Sequence, residues 1–548
     1  MAMSERRRTV RQFLLPAFIV LGSILTAGAW VVSSPSGGGP DDVTHEASIW
    51  CPRLVNHSCP VLGYSNADPL QPNKPIVQIP KRIVQASCFA FKPSQSAACL
   101  YDVPADSVIG SADADSGRYP GVYYAVMHVF ASSSPANLDR MVLMVRAANA
   151  LIAALFFSAL AWLLPWTMKR LLVYVMVGLS VPLVIYFLTS VNPTAWGIIG
   201  VVSAWFALTG LFATAAVGGV EPWRRRALAA LAVAAAALAA SARTDCAAFC
   251  FVVVLAVGAF HLPQLHPRRW RSLRLVWAAM IAVAVIGIVG TFSGSQTTGL
   301  MGLSGGTHAN TGGHILLMYN IEHLPDLFQG FWNGALGWFD VPMLPITTGL
   351  VTLIGFGLIY LGLRRMSLPK AIAAGGVTLV MVVLALFTYQ MGIDRVGQNV
   401  QPRYFAPLIL VVVGILLSRR RHDGARPLSL TQTWVAYCCL VVAQSFALHE
   451  VIKRYVMGQD DMTQNLNRAV QWWRAWLPSP MVVWVLGSVG FAALALLLFI
   501  VRKARPVEPL AGPGLTSDEE ATLRADPDTE AAELVTQSNA EAFAERSA

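Results

Sequence analysis

Charged side chains are scarce in this chain. Of its 548 residues only 13% are Asp, Glu, Lys or Arg, whereas 55% are hydrophobic, and the mean hydropathy is +0.55. Soluble domains carry about 25% charged residues, so an aqueous globule of this composition would lack the polar side chains needed to cover its surface. The scarcity of charge excludes a soluble enzyme and leaves a membrane protein with several spans.

The sequence also lacks features that are typical of metal clusters, of transporters with two related halves and of nucleic-acid-binding proteins. The eight cysteines include no Cys-x-x-Cys pair and the sequence has no His-rich tract, so no metal cluster is indicated. We find no internal repeat, although many secondary transporters consist of two related halves. The net charge is +10, but the basic residues form short clusters between apolar runs rather than a phosphate-binding stripe, so we expect no nucleic-acid partner.

Long apolar runs make up most of the chain. About twelve are long enough to span a membrane, so the sequence predicts an all-α polytopic membrane protein. The first run could instead be a signal peptide, because Ala27-Gly28-Ala29 resembles a cleavage site, but its length of about 20 residues favours an uncleaved anchor. The predicted spans are Phe13–Val32, Val142–Leu164, Leu171–Ser190, Ala195–Val217, Ala227–Ala242, Cys246–Leu262, Leu275–Phe292, Ile346–Leu363, Ala371–Tyr389, Tyr404–Leu417, Trp434–Leu448 and Met481–Val501.

The basic clusters predict an orientation. If successive spans cross the membrane in opposite directions, alternate connecting segments lie on the same side. Every short cluster of basic residues then lies on one side, from Arg6–Arg8 to Arg502-Lys503. The positive-inside rule makes this side cytoplasmic, with both termini. The tail from Pro506 to Ala548 has ten acidic residues and two arginines, a net charge of −8, and without an apolar period it is predicted to be disordered.

This topology divides the chain into six parts. A cytoplasmic N-terminus and the first span precede the largest exported segment, and two further groups of spans are separated by a second exported segment. The parts are 1–32 (N-terminus and first span), 33–141 (exported), 142–292 (spans two to seven), 293–345 (an exported Gly/Ser/Thr-rich stretch followed by an amphipathic helix, His314–Phe339), 346–501 (spans eight to twelve, with exported loops 391–403 and 449–480) and 502–548 (acidic tail).

Four of the eight cysteines lie in segment 33–141. An even number of cysteines in an exported segment suggests two disulfides. Three connectivities are possible, of which we favour the local one that joins Cys51 to Cys59 and Cys88 to Cys99.

Polar residues gather in the same predicted compartment. Asp41, Asp42 and His45 follow the first span directly, and they could act as a general base towards a hydroxyl, bind a divalent cation such as Mg or Mn, or simply form a solvated loop. Arginines near the predicted exported ends of other spans could bind a phosphate, or, as for Arg243 beside Asp245, pair with a neighbouring acid. The arginines considered for phosphate binding are Arg146, Arg243, Arg395 and Arg403.

Several short motifs occur in a fixed order and resemble those of a family of bacterial multi-spanning membrane proteins of unknown function. Three positions depart from that family, with Asp42 in place of Glu, Gly121 in place of a second Pro and Pro402 in place of a Gly. The motifs are Pro40-Asp41-Asp42-x-x-His45, Tyr119-Pro120-x-x-Tyr123-Tyr124, Asn192-Pro193, Gly337-Trp338-x-Asp340-x-Pro342 and Gln401-x-Arg403-Tyr404-x-x-Pro407.

That family in turn resembles the GT-C glycosyltransferases. The resemblance implies an integral membrane enzyme that moves a sugar from a polyprenyl-phosphate carrier to an acceptor on the outer face of a bacterial plasma membrane, with Asp41 as base or metal ligand and Asp42 as the alternate. The resemblance names neither the sugar nor the acceptor, and it is the high content of Ala, Arg and Trp that favours a cell-envelope glycan or lipoglycan as the acceptor. Residues of the matched motifs that we expect to line the substrate pocket are Tyr119, Tyr123, Trp338, Asp340, Gln401 and Tyr404.

Two other function classes stay open from the sequence. A transporter or flippase of a lipid-linked saccharide would also place charges near the membrane, and a non-catalytic scaffold of envelope assembly would tolerate the loss of Asp41. The large exported segments, with their acids and arginines, favour the enzyme.

Overall fold

The computed structural model describes residues 2–55, 59–66, 73–112, 114, 119–132, 134–216, 221–262, 273–293, 312–398, 400–419 and 425–502. Some sequence predictions fall outside these residues. They concern Gly117 and Arg118, almost all of the Gly/Ser/Thr-rich stretch 293–313, and the acidic tail beyond Arg502.

Helices dominate the described residues, as the long apolar runs predict. Their ends coincide with Pro, Gly or polar residues that flank the runs, where helices commonly begin and end. The helices are α1 (Ala2–Val32), α2 (Asp42–Trp50), α3 (Lys81–Gln85), α4 (Val122–Met127), α5 (Leu138–Leu163), α6 (Trp166–Met176), α7 (Pro182–Leu188), α8 (Thr194–Ala216), α9 (Pro222–Ala242), α10 (Thr244–Phe260), α11 (Arg274–Thr291), α12 (Gly313–Asn333), α13 (Pro345–Leu363), α14 (Leu368–Gly392), α15 (Ala406–Leu417), α16 (Leu430–Val456), α17 (Pro480–Ala495) and α18 (Leu497–Arg502).

Eight helical segments of the described chain are long and apolar enough to cross a membrane, and three shorter apolar helices accompany them. The chain is therefore a multi-pass membrane protein. The eight are Pro135–Leu163, Thr194–Ala215, Pro222–Ala242, Arg274–Thr291, Pro345–Leu363, Leu368–Gly392, Leu430–Val456 and Pro480–Arg502, and the shorter three are Pro16–Val32, Thr244–Phe260 and Ala406–Leu417.

The third predicted span, Leu171–Ser190, is not a continuous helix. Its residues belong to α6 and α7, with a break between Met176 and Pro182. Val181 is extended, with φ −64° and ψ 150°, because the ring of a following proline disfavours the helical conformation. A window of mean hydropathy does not detect this break, since the residues on both sides of it are apolar.

The core surrounds α8. Its apolar window is 94% buried, against 33–56% for the other seven long segments, so α8 is the central helix and the others keep a face towards lipid. Small residues allow close approach of neighbouring helices, as in other membrane bundles. A Cβ atom on Gly490 of α17 would lie 2.8 Å from the Gly22 carbonyl oxygen of α1, and one on Gly200 of α8 would lie 2.7 Å from Ala239 Cβ of α9.

Segment 33–141 forms a small folded unit rather than an open loop. Three antiparallel strands lie in the order β1 (Val61–Ser65), β2 (Lys74–Pro80) and β3 (Val108–Ser111), and Ile79 pairs with Ile109 in the register. Disulfides join Cys51 to Cys59 and Cys88 to Cys99, with Cα–Cα distances of 5.7 and 6.2 Å, so the local pairing is confirmed.

The four segments that the sequence places on one side of the membrane contact one another. Trp338 Nε1 donates to the Gly37 carbonyl at 2.7 Å, and Arg474 Nη2 donates to the Ser34 carbonyl at 3.2 Å. Arg403 forms an ion pair with Asp41. We call the side of the molecule that carries segment 33–141 the loop face, and the opposite side, where the clusters of basic residues lie, the arginine face.

Candidate functional site

A sharp turn at the end of α1 places the first acidic motif. Gly37 has φ +67°, and a Cβ atom there would overlap Ala86 Cβ, so this position requires glycine. Asp41 is also left-handed, with φ 64° and ψ 4°, at the residue that precedes α2. Aspartate is one of the few residues that adopt this conformation, and strained residues of this kind cluster at functional sites.

Asp41 contacts Arg403 directly. Its carboxylate accepts a hydrogen bond from Arg403 Nη2 in a short ion pair. The Asp41 side chain keeps 44% of its exposure, whereas that of Arg403 keeps 3%. Arg403 Nε and Nη1 have no hydrogen-bond partner among the described residues. An accessible carboxylate therefore lies against a buried guanidinium whose Nε and Nη1 atoms can still donate hydrogen bonds.

This pairing affects the protonation of Asp41. Burial is the largest single influence and by itself would raise the pKa of the carboxyl group, but the charge and hydrogen bond of Arg403, together with the smaller effects of His45 and Arg243, hold the pKa of Asp41 below its ordinary value. Asp41 is therefore ionised at neutral pH, as a general base must be before it accepts a proton.

A second arginine lies beside the first. The Arg243 guanidinium carbon is 4.8 Å from the centroid of the Tyr404 ring and 5.6 Å from that of Tyr119, and Arg403 is 5.2 Å from the same Tyr404 ring. Arg243 also binds both carboxylate oxygens of Asp245, at 2.9 and 2.7 Å. Arg243 thus pairs with a neighbouring acid, as one of the two interpretations from the sequence had it. Of the two arginines it is Arg403 that keeps N–H groups without a hydrogen-bond partner among the described residues.

His45 lies between these groups as a neutral side chain. It is fully buried, and its Nδ1 is 2.9 Å from the Tyr124 hydroxyl, while Nε2 has no partner among the described residues. Its ring contacts Tyr119 edge to face, with centroids 5.3 Å apart. Burial lowers the pKa of His45 to about 3, so the ring carries no charge at neutral pH.

Asp42 points away from Arg403. Its carboxylate is buried, accepts the Gly39 N–H at 2.7 Å and lies 3.5 Å from Arg146 Nη2. Arg146 donates at 2.7 Å to the Ser34 carbonyl and at 2.8 Å to the Pro35 carbonyl. Asp42 and Arg146 therefore stabilise the turn through buried hydrogen bonds. Of the two adjacent acids, only Asp41 has a solvent-accessible carboxylate.

Glu46 is a buried acid that the sequence analysis did not consider. It accepts the Gly37 N–H at 2.8 Å and the Ser36 hydroxyl at 2.5 Å, one helical turn beyond Asp42. Burial, followed by the nearby charge of Asp42, raises the pKa of Glu46 to about 8. Its position four residues after Asp42 in a short helix is the signal that could have revealed it.

Trp338 contacts the same turn, and Asp340 contacts an arginine that binds another part of segment 33–141. Trp338 Nε1 donates to the Gly37 carbonyl, and Asp340 accepts from Arg454 Nη2 at 2.5 Å. Arg454, which the sequence analysis also missed, donates further to the carbonyls of Phe89 and Gln95. These contacts tie the Gly337–Asp340 motif and the end of α16 to segment 33–141.

Two further predicted residues have contacts of their own. The Tyr123 hydroxyl donates to the Val191 carbonyl and accepts from Asn149 Nδ2 at 3.1 Å, so Tyr123 is a packing residue in the interior. The Arg395 guanidinium carbon is 5.0 Å from the ring centroid of Tyr319 on α12.

A cavity of about 370 Å³ opens beside the turn. It lies between Pro40, α7, α12 and the 396–403 segment, and its volume falls within the range of about 300–1,000 Å³ typical of small-molecule sites. Apolar walls from Leu183, Tyr186 and Phe187 face polar groups. The polar side chains that line the cavity are His323, Asp326, Gln398, Gln401 and Arg403.

The acids of the motif do not fit a Mg²⁺ or Mn²⁺ site. Asp41 and Asp42 bind different arginines, and no group of three or more His, Cys, Asp or Glu residues among the described residues is placed to hold a metal ion. Both cations need several oxygen ligands, whereas here each carboxylate already balances a guanidinium. We therefore derive no chemical step through a cation.

Comparison with known proteins places the chain in a family. No curated protein and no solved structure matches it. Residues 24–412, which include all of the motifs above, match the family described as "Predicted membrane protein (DUF2142)", and the chain belongs to this family.

Proposed function

We propose that the protein is a glycosyltransferase of the GT-C type, which transfers a sugar from a polyprenyl-phosphate carrier to a hydroxyl of a cell-envelope glycan or lipoglycan. The observation that carries the proposal is the ion pair of accessible Asp41 with buried Arg403 at the edge of a cavity. Glycosyl transfer from a lipid phosphate needs a base near the acceptor and positive charge near the leaving phosphate, and this pair supplies both.

In the proposed reaction Asp41 accepts the proton of the acceptor hydroxyl. The hydroxyl oxygen attacks the anomeric carbon of the donor, a new glycosidic bond forms, and the bond between that carbon and the phosphate oxygen breaks. The polyprenyl phosphate leaves with the bonding electron pair, and Arg403 stabilises its charge. Arg403 has Nε and Nη1 available for the phosphate while Nη2 still contacts Asp41.

Binding of the donor would also raise the basicity of Asp41. In the free protein the charge of Arg403 holds the pKa of Asp41 down. An anionic phosphate beside Arg403 would counter that charge and raise the pKa of Asp41, which makes the carboxylate a better proton acceptor only when the donor is present. This coupling would limit nonproductive chemistry at the free site.

The surroundings of the pair suit a lipid-linked substrate. One side of α12 packs against the protein through Leu316, Leu324 and Leu327, while Ile315 and Met318 are each 56% exposed. A helix of this kind lies in the interface between lipid and water, so a carrier could enter the cavity from the membrane. We propose that the loop face is the outer face of a bacterial plasma membrane and that both termini are cytoplasmic.

The test is a transfer assay with the full-length protein in nanodiscs. Radiolabelled polyprenyl-phosphate pentoses and hexoses serve as donors, and envelope glycan extracts serve as acceptors. Loss of a general base costs about 10²–10⁴ in rate, so Asp41→Asn should lose that much turnover, and Arg403→Ala should lose donor affinity as well. Matched controls are Asp106→Asn and Arg140→Ala, which alter exposed residues outside the cavity.

Two outcomes would overturn the proposal. Near-normal transfer by Asp41→Asn would place the base elsewhere, or leave the protein as a scaffold. Absence of transfer from every donor, together with movement of fluorescent lipid-linked saccharide across vesicles by the wild type, would establish a transporter or flippase instead.

A further inference from the structure

Phe339 has a strained backbone conformation at the wall of the candidate cavity. Its φ of +59° lies in the left-handed region, which glycine, asparagine and aspartate tolerate and a bulky residue rarely adopts. Phe339 lines the 370 Å³ cavity and is 46% exposed. A glycine or an asparagine would avoid both the strain and the exposed apolar surface, so neither the turn nor the core requires phenylalanine at this position.

Hydrogen bonds fix the turn on both sides of Phe339. The Leu336 N–H donates to the Val341 carbonyl at 3.0 Å, and the Val341 N–H donates to the Leu336 carbonyl at 3.2 Å. Within the turn, the Trp338 N–H donates to the Asp340 carboxylate at 3.0 Å, and both of these side chains are bound to other segments as well. The surrounding structure thus imposes the strained conformation, and strain of this kind is concentrated at ligand and active sites.

Helix α12 contributes polar side chains to the same cavity. Tyr319, His323 and Asp326 line it, and their spacing of four and three residues places them along one side of the helix. The Asp326 side chain is exposed and can accept hydrogen bonds. His323 Nδ1 is 2.9 Å from the Tyr319 carbonyl oxygen, which only accepts, so Nδ1 carries the proton and Nε2 of the neutral ring is the acceptor. Both side chains therefore offer acceptors for hydroxyl groups.

This part of α12 is ordered by its own contacts. The rings of Tyr319 and His323 are stacked, with centroids 4.0 Å apart, and the Arg395 guanidinium lies over the Tyr319 ring. The side chain of Asn320 binds backbone groups of residues 394 and 396, at 3.0 and 2.9 Å. A ligand would therefore meet a wall that is already in place, which lowers the entropic cost of binding.

An aromatic ring and hydrogen-bond acceptors in one cavity match the two kinds of surface that a sugar presents. The C–H faces of a sugar ring are apolar and pack against an aromatic ring, whereas its hydroxyl groups project from the edge and donate strongly to an ionised carboxylate. Arg403, the proposed phosphate ligand, lines the same cavity. A sugar carried on that phosphate would therefore lie in the cavity with Phe339 and Asp326.

We propose that Phe339 and Asp326, together with His323, form the subsite for the sugar of the donor, and that this subsite selects an uncharged sugar. The inference rests on the proposed function, from which it takes a polyprenyl-phosphate sugar as the ligand. Phe339 packs against the sugar ring, and Asp326 and His323 accept hydrogen bonds from its hydroxyl groups. The negative charge of Asp326 disfavours a uronic acid, whose carboxylate would enter the same cavity.

Binding is measured without an acceptor, by native mass spectrometry of the full-length protein in a non-ionic detergent. The probes share one prenyl chain and are polyprenyl phosphate without a sugar and polyprenyl-phosphate glucose, mannose, arabinose and glucuronic acid. The wild type should bind at least one uncharged sugar lipid about tenfold more tightly than the glucuronic acid lipid.

Asp326→Asn tests the hydrogen bonds to the sugar. It should weaken binding of the uncharged sugar lipid about tenfold, because a hydrogen bond to a charged group is lost. It should also reduce the discrimination against glucuronic acid and leave binding of the sugar-free lipid unchanged. The matched control is Glu322→Gln, which changes an exposed acid of α12 outside the cavity and should alter none of these affinities.

Phe339→Asn tests the aromatic ring by a readout that a structural role would not give. Asparagine tolerates the left-handed conformation, so the apparent unfolding temperature should stay the same or rise, while binding of the uncharged sugar lipid weakens about tenfold. The matched control is Phe91→Asn, since Phe91 also has a left-handed φ of +62° and is 64% exposed, but lies outside the cavity. This control should leave the binding of every probe unchanged.

The outcomes separate a sugar subsite from other roles. Loss of sugar-lipid binding in both cavity variants, with the sugar-free lipid unaffected, supports the subsite even if the wild type transfers no sugar, so the subsite and the proposed transfer can fail separately. Equal losses for sugar-bearing and sugar-free lipids in Phe339→Asn would mean that the ring contacts the prenyl chain or the membrane, and would overturn the proposal. Unchanged binding of all probes by either cavity variant would overturn it too.

Discussion

At the scale of single residues, burial assigns different roles to acids that look equivalent in the sequence. Asp41, Asp42 and Glu46 lie within six residues, yet of the three only Asp41 keeps an accessible carboxylate, while Asp42 and Glu46 are buried and accept the backbone N–H groups of Gly39 and Gly37, respectively. The motif predicted that acids act here. It did not predict which one, because the left-handed conformation of Asp41 decides where each carboxylate points.

Glu46 should make stability depend on pH. Its pKa rises from the ordinary 4.5 to about 8 in the folded protein, so the folded state keeps a proton that the unfolded chain loses. The free energy of unfolding should therefore fall as the pH rises from about 4.5 to 8. Glu46→Gln imitates the protonated acid and should flatten this dependence.

Thermal unfolding in detergent at several pH values measures the effect. Asp106→Asn, which changes an exposed acid in the same segment, should follow the wild type. An unchanged slope in Glu46→Gln would mean that this carboxyl group is ionised when folded.

The buried pair of Arg454 and Asp340 should matter strongly for stability. Removing one partner of a buried ion pair leaves an uncompensated charge and costs about 3–5 kcal/mol. Arg454→Met should therefore lower the apparent unfolding temperature sharply, and Asp340→Asn added to it should restore part of the loss. Arg468→Met, at an exposed arginine, is the control, and an equally small effect of both arginine variants would contradict the role of the pair.

At the scale of elements, hydropathy predicted most helices to within a few residues but not their breaks. The span predicted at Leu171–Ser190 is α6 and α7, and α12 ends at Asn333 rather than Phe339. Both differences arise from local backbone preferences, at Val181 before a proline and at extended Gly334. The small sheet of segment 33–141 was not predicted, because its short strands carry little periodic signal.

Close packing of α12 on the 402–404 turn should be needed for activity. A Cβ atom on Gly330 would overlap Pro402 Cγ, next to Arg403. Gly330→Val should therefore displace Arg403 and lower sugar transfer at least tenfold, with little change in the amount of folded protein in membranes. Gly357→Val, where a Cβ atom meets no neighbour within 4 Å, is the matched control. Normal transfer by Gly330→Val would show that activity does not depend on the position of the 402–404 turn.

At the scale of the whole molecule, the sequence predicted which segments lie on the same side, and the structure adds that these segments meet. The four segments assigned to one side by the basic clusters contact one another, and the motifs that contain Trp338 and Arg403 reach the Gly37–Asp41 turn. The sequence could not show that Trp338, Asp340 and Arg146 support segment 33–141 instead of lining the cavity. Those roles depend on contacts between residues more than 100 positions apart.

The orientation of the two faces is open to a direct labelling test. Asp106→Cys on the loop face and Arg364→Cys on the arginine face are both exposed positions. In intact cells a membrane-impermeant maleimide should label the first and not the second, and lysis should expose both. Labelling of Arg364→Cys alone in intact cells would reverse the orientation and place the candidate site in the cytoplasm.

The central claim is that Arg403 binds the donor phosphate while residue 41 faces the sugar. The most direct measurement is a cryo-EM structure of Asp41→Asn in nanodiscs with a saturating polyprenyl-phosphate sugar, since this variant should bind the donor without turning it over. We predict phosphate density within hydrogen-bond distance of Arg403 and sugar density in the 370 Å³ cavity beside residue 41. Phosphate density remote from Arg403, or a cavity that stays empty at saturating donor, would contradict the account.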